Sequence, residues 1–165
     1  MFKSLGNTFP PPPYFQGRFS NGPVWVEQLA PLLGLTPNPN TNFAFGGATT
    51  GTDNTLNTSF QTPLPTPLPA LQQEINGFTA PLKAAKQSAD PKALYIVWAG
   101  ANDYLPTISS FKPFQQPDKP VENLSDAVKS LAGVGAKNIL VVNLPDLGEI
   151  PLTASSPPGF LTSLS

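Results

Sequence analysis

Two apolar runs of strand length, LYIVWAG at residues 94 to 100 and NILVV at residues 138 to 142, constrain the fold of this chain more than any other feature. Both are continuous rather than alternating and rich in β-branched or aromatic residues, which is how strands buried on both faces read. Between them Val121, Leu124, Val128, Leu131 and Val134 share one face of an amphipathic helix, closed by Gly133 and Gly135. Strand, helix, strand at this spacing is a βαβ unit, so the expected class is α/β with a parallel sheet. Trp25 and Trp98 read as core residues.

Upstream, residues 1 to 22 read as a proline-rich loop containing FPPPPYFQGRFSNG, residues 9 to 22. Asn21-Gly22-Pro23 resembles a helix start with proline at the first helical position. Pro31 is expected to kink or shorten that helix, and Gly34 to stop it. Phe43-Ala44-Phe45 is a short strand candidate running into Gly46-Gly47. The chain then turns polar and proline-rich, a linker over 52–69 within a single domain. A helix begins near Ala70, with Leu71, Ile75, Phe78 and Leu82 on one face and Pro81 as a candidate break. A polar, proline-rich insertion runs from Asn102 to Pro120, and residues 153–165 form an irregular tail.

Composition removes several function classes. A net charge of -1 gives no electrostatic case for nucleic acid or an anionic membrane. With 12% charged and 39% hydrophobic residues, the chain is not disordered by charge. Its 22 prolines imply long irregular connections. Zero cysteine removes disulfides and thiol catalysis, and zero histidine removes a Ser-His-Asp triad and any histidine-ligated metal. Neither a cofactor nor a metal is expected. No apolar run is long enough to span a bilayer, and MFKSLGNTF leads into prolines rather than a secretory apolar segment, which leaves the compartment open.

In open parallel sheets the functional loops leave the carboxyl ends of the strands. Three segments fall there: Gly46-Gly47-Ala48, Gly100-Ala101-Asn102-Asp103 and Asn143-Leu144-Pro145. A glycine whose N–H can approach a substrate, with an asparagine amide as second donor, is a kit for an oxyanion hole. The blander alternatives are a tight turn needing positive φ at Gly46-Gly47 and a strand-end turn held by side-chain bonds at Asn102-Asp103. Arg18 and Asn21 read as a loop clamp.

Four segments in order carry a family resemblance: GRFSNGPVWVEQLA (17 to 30), NFAFGGATTG (42 to 51), YIVWAGANDYL (95 to 105) and VVNLPDLGEIP (141 to 151). Together they resemble the GDSL-type (SGNH) serine esterases and lipases, most closely the bacterial phospholipase, lecithinase and hemolysin-like branch. The resemblance implies a flavodoxin-like three-layer α/β/α fold, a small-molecule or lipid ester as substrate, and an acyl-enzyme mechanism. It implies that Gly47, a better match than Gly46, gives a backbone N–H to the oxyanion hole. Asn102 gives a side-chain amide to the same hole, Gly100 is the glycine of that block, and Asp103 is a supporting residue. Longer members of the family are often secreted.

The family's Gly-Asp-Ser-Leu nucleophile block and its Asp-x-x-His element have no match here. The gap-free register places Phe2 and Thr8-Phe9 just after the nucleophile block, so the expectation is an incomplete domain lacking its first strand and C-terminal part. Ser4 is the alternative nucleophile, without a recognisable base beside it; Lys83, Lys86 and Lys129 fall on polar helix faces. The chain alone is therefore expected to be inactive, and to need a complementing chain or be marginally stable, since unpaired strands leave exposed edges. The other reading is a non-catalytic interaction protein that uses FPPPP and PLPTPLP as polyproline ligands, against which stands their use as stiff loops.

Overall fold

The structure, a computed structural model, describes residues 10–36, 38–57, 66–105 and 117–150. Ser4, the tail 153–165, most of the 102–120 insertion and residues 63–65 of PLPTPLP lie outside the described residues. The chain forms two compact units, residues 1–46 and 47–165.

In the first unit the described part of the proline tract leads into a turn. Tyr14 N donates to the Pro11 carbonyl at 3.2 Å, and Phe15 N donates to the Ser20 carbonyl at 2.8 Å, so the segment turns back on itself. Tyr14 packs edge-on against Phe19. Helix α1, Trp25–Leu32, starts two residues later than Pro23 suggests. Glu27 decides that start. Val24 N donates to its carboxylate at 2.9 Å, while Glu27 N donates back to the Val24 carbonyl. Arg18 grips the same carboxylate with two bonds of 2.7 and 2.6 Å and also donates to the Gln16 carbonyl, which makes it the expected clamp. Glu27 is held below the usual carboxylate range, first by the Arg18 hydrogen bonds.

Pro31 is tolerated in the last turn of α1, and the helix ends one residue beyond it. Gly34 is the stop. Its φ of +71° lets Gly34 N reach the Pro31 carbonyl and Leu35 N reach the Ala30 carbonyl, the paired bonds of a Schellman cap. Two expectations fail in this unit. Phe43-Ala44-Phe45 is not one of the strands found among the described residues. Trp25 is 43% exposed rather than core.

The second unit contains α2 (Leu71–Ala84), β1 (Leu94–Val97), α3 (Ala101–Tyr104), α4 (Asp118–Gly133) and β2 (Asn138–Val141). Strands β1 and β2 pair in parallel, Leu94 opposite Asn138 through Val97 opposite Val141, which is the expected α/β unit. One core joins Leu71 of α2, Val97 of β1, Ala127 and Leu131 of α4, and Ala89, Val134 and Ala136. Ile75, Phe78 and Leu82 pack on it from the predicted face of α2, and the Phe78 and Tyr95 rings lie 5.6 Å apart. Pro81 does not break α2. Gly135, at φ +100°, ends α4 with the same cap geometry as Gly34: Gly135 N bonds to the Ala132 carbonyl and Ala136 N to the Leu131 carbonyl.

Two corrections follow in this unit. The strands are not buried on both faces. Tyr95, Val97 and Ile139 meet the core, whereas Leu94, Trp98 and Leu140 on the other face are 45 to 51% exposed. Trp98 is therefore not a core residue. The buried stripe of α4 keeps Leu131 of the predicted one, with Leu124 and Val134 also meeting the core, but is rotated toward its N-terminal end. It runs through Pro120, Asn123, Ala127 and Leu131, leaving Val121 60% exposed. The rotation places a small residue, Ala127, in the centre of the core and buries a polar one, Asn123.

Candidate functional site

The site grows from a tight loop that only glycine can begin. Gly47 has φ +78°, and a Cβ built there would fall 2.6 Å from both Asn54 Oδ1 and Leu56 Cγ. Its carbonyl accepts from Thr55 N at 2.8 Å and Thr55 Oγ1 at 3.1 Å. Thr49 N in turn donates to the Asp53 carbonyl, so Ala48 and Asn54 form an antiparallel bridge that folds residues 47–55 into a hairpin-like turn. Buried Asn54 ties this turn to the Pro69 carbonyl at 2.8 Å, and Asn57 makes two bonds to the Leu68 backbone. The N-terminus of α2 then docks on the loop: Leu71 N and Gln72 N donate to the Thr49 and Gly51 carbonyls.

The second wall is α3, which starts where β1 ends. Gly100, at φ +133°, makes the sharp exit, and its Cα faces Leu144, whose Cδ1 would lie 3.1 Å from an added Cβ. Leu144 belongs to a small second core with Tyr104, Leu147, Ala101 and Leu105. The segment after β2, singled out as Asn143-Leu144-Pro145, is thus packed against the turn after β1.

Two residues of α3 cross to the loop. Asn102 Nδ2 donates to the Ala48 carbonyl at 2.9 Å, which sets its amide beside the residue that follows Gly47. That bond uses one of the two amide hydrogens. Asp103 is fully buried and takes two bonds from Thr50, 2.9 Å from its N–H and 2.6 Å from its hydroxyl. Burial pushes the Asp103 carboxyl up from the ordinary aspartate range, and the Thr50 bonds partly oppose that. Burial, and then the charge of Asp103, raise the Tyr104 phenol as well.

Sequence reasoning brought Gly47, Gly100, Asn102 and Asp103 forward, and the structure gathers them around one loop. It missed Thr50, Asn123 and Gln72. Asn123 Nδ2 donates to Thr50 Oγ1 at 3.0 Å, and Gln72 Nε2 spans the Thr50 and Asn123 carbonyls at 2.9 and 3.0 Å. A threonine beside the glycines of the second segment was the available signal for the first. Nothing in the pattern of α4 marks Asn123. Among the described residues every buried side-chain polar atom has a partner, and no group of three or more acidic side chains could hold a metal.

The arrangement presents N–H donors without a titratable base: Asp103 is sealed off, and the chain has no histidine. No helix among the described residues is long and apolar enough to cross a membrane.

Comparison with known proteins agrees with this architecture. The chain is 40% identical over 147 residues to the phosphatidylcholine-sterol acyltransferase of Aeromonas hydrophila, covering 87% of this chain and 39% of that protein. It is 28% identical over 144 residues to the thermolabile hemolysin of Vibrio parahaemolyticus, covering 87% of this chain and 30% of that one. A GDSL esterase/lipase of Arabidopsis thaliana is 28% identical over 170 residues, covering 82% of this chain and 44% of that protein. The chain therefore spans less than half the length of these relatives. Residues 4–162 match the GDSL-like lipase/acylhydrolase family, and the chain belongs to that family.

Proposed function

We propose that this chain carries the oxyanion-binding half of a serine ester hydrolase active site, with the Gly47 N–H and the Asn102 side-chain amide as donors. The observation that carries the proposal is the 2.9 Å bond from Asn102 Nδ2 to the Ala48 carbonyl, which orients the amide next to Gly47 and leaves one of its hydrogens for a ligand. When a nucleophile adds to an ester, the carbonyl oxygen becomes an alkoxide. Donors held at about 2.7–3.1 Å from its final position lower the barrier because they need no reorganisation as the charge develops. Asp103 does not touch substrate in this reading; it holds the helical turn that presents Asn102. Family membership and the name of the Aeromonas relative favour a lipid acyl ester over a small water-soluble one.

With no histidine, the 165-residue chain has no imidazole to activate a hydroxyl, and by itself it binds the developing charge without completing turnover. An NMR titration of the chain with methyl butylphosphonate, a tetrahedral monoanion shaped like the intermediate of pentanoate-ester cleavage, tests the donor assignment. The expected result is a shift of the Gly47 amide and the Asn102 side-chain NH₂ signals, lost in Asn102→Leu. Binding that leaves both signals in place, or no binding at all, overturns it.

A further inference from the structure

We propose that Asn123 of α4 is a positioning residue for the oxyanion donors, acting through the hydroxyl of Thr50; the proposal rests on the reading of Gly47 and Asn102 given above. An amide nitrogen can only donate, so at 3.0 Å Asn123 Nδ2 obliges Thr50 Oγ1 to accept. The single hydroxyl proton of Thr50 then has one destination, Asp103 Oδ1 at 2.6 Å. Asp103 Oδ2 takes the Thr50 N–H at 2.9 Å, so both carboxylate oxygens serve as acceptors for one residue of the loop.

The direction of this relay matters to the site two residues away. Asp103 follows Asn102 in α3, and Thr50 lies two residues after Ala48. The bonds Asn102 to Ala48 and Thr50 to Asp103 therefore clasp the loop and the helical turn at two adjacent points. Without Asn123 the Thr50 hydroxyl keeps Asp103 as its acceptor, but nothing fixes its remaining lone pair, so the short bond of the clasp is held less firmly and the Asn102 bond carries more of the amide's placement beside Gly47. Gln72 closes the back of the same network, both of its amide hydrogens being spent on the carbonyls of Thr50 and Asn123. Thr50 and Asp103 are fully buried and Asn123 is 9% exposed, so water does not substitute for a lost partner without opening the packing.

The experiment uses the full chain and Asn123→Leu, which keeps the branched side-chain shape while removing the donor. Two spectroscopic signatures and one affinity are read by NMR: the slowly exchanging hydroxyl proton of Thr50, the side-chain NH₂ pair of Asn102, and the Kd for methyl butylphosphonate. In Asn123→Leu the Thr50 hydroxyl signal is expected to vanish, the Asn102 pair to move toward its unstructured position, and phosphonate affinity to fall by about tenfold, as expected for misplacing a preorganised donor. Should Asn123→Leu fail to fold, Asn123→Ala, which removes the same donor without adding bulk, must produce the same loss. Unchanged Asn102 signals and affinity in a folded variant, with Asn102→Leu still abolishing binding, overturn the positioning role and leave the oxyanion reading standing. Phosphonate binding that survives Asn102→Leu overturns the oxyanion reading and this proposal with it.

Discussion

Asp103 and Thr50, 53 positions apart in the chain, are joined by two hydrogen bonds of 2.9 and 2.6 Å in which the carboxylate accepts both times. No other pair in the described residues couples the turn after β1 so directly to the loop that begins at Gly47. The pair is what makes a local turn motif and a glycine loop into one site.

Substituting Asp103→Asn tests the coupling. An asparagine offers one accepting oxygen, so either the Thr50 N–H or its hydroxyl faces a second donor in a fully buried setting. Leaving one such group unmet costs about 1–3 kcal/mol. The measurement is a urea unfolding curve, with a lowered midpoint and an unchanged slope as the expected result.

The two shifted carboxyls respond oppositely to pH. Burial raises Asp103, so between the unfolded and folded values the native chain holds the extra proton. Its contribution to stability is greatest below the ordinary aspartate range and is lost as pH rises through the raised folded value. Glu27 is lowered by Arg18, so its contribution is present above the ordinary glutamate range and is lost as pH falls through the lowered one. Carbon-13 carboxyl titration should show Asp103 titrating above a free aspartate and Glu27 below a free glutamate. The reverse order at either residue contradicts the burial or the clamp.

Glycine-to-alanine substitutions separate conformational cost from crowding. Gly34 has φ +71° with open space around it, so Gly34→Ala should cost about 1 kcal/mol through backbone conformation alone. Gly47 adds a clash at 2.6 Å with Asn54 Oδ1, an atom already fixed by accepting from Leu56 N at 3.0 Å. Gly47→Ala should therefore cost at least about 2–4 kcal/mol. Thermal unfolding of the two variants should rank them in that order.

The 165-residue chain incubated with p-nitrophenyl butyrate should release no p-nitrophenol above the buffer rate. Turnover by purified chain that disappears in Asn102→Ala would show that a base other than histidine operates here.

The parts of the fold readable in the sequence were those governed by local rules. The α2 stripe of Leu71, Ile75, Phe78 and Leu82 depends only on helical spacing, and Gly34 and Gly135 announce helix ends because few other residues adopt positive φ. Phe43-Ala44-Phe45, an apolar triplet that could be strand or loop by pattern alone, is not a strand among the described residues. Trp25, Trp98 and Val121 misled for a related reason: hydrophobicity states a preference for burial, and the packing of other elements decides whether it is met.

The sequence by itself determined that two short strands and an amphipathic helix would form a parallel α/β unit, and it brought Gly47 and Asn102 forward as loop residues. Tertiary structure decided what holds those loops together. Asn123 reads as one more polar residue on a helix, and Thr50 as one more polar residue in a loop. They become a relay to Asp103 only when α4 rotates to bury Asn123 against the loop, because a hydrogen bond between residues 73 positions apart depends on packing that no local pattern encodes.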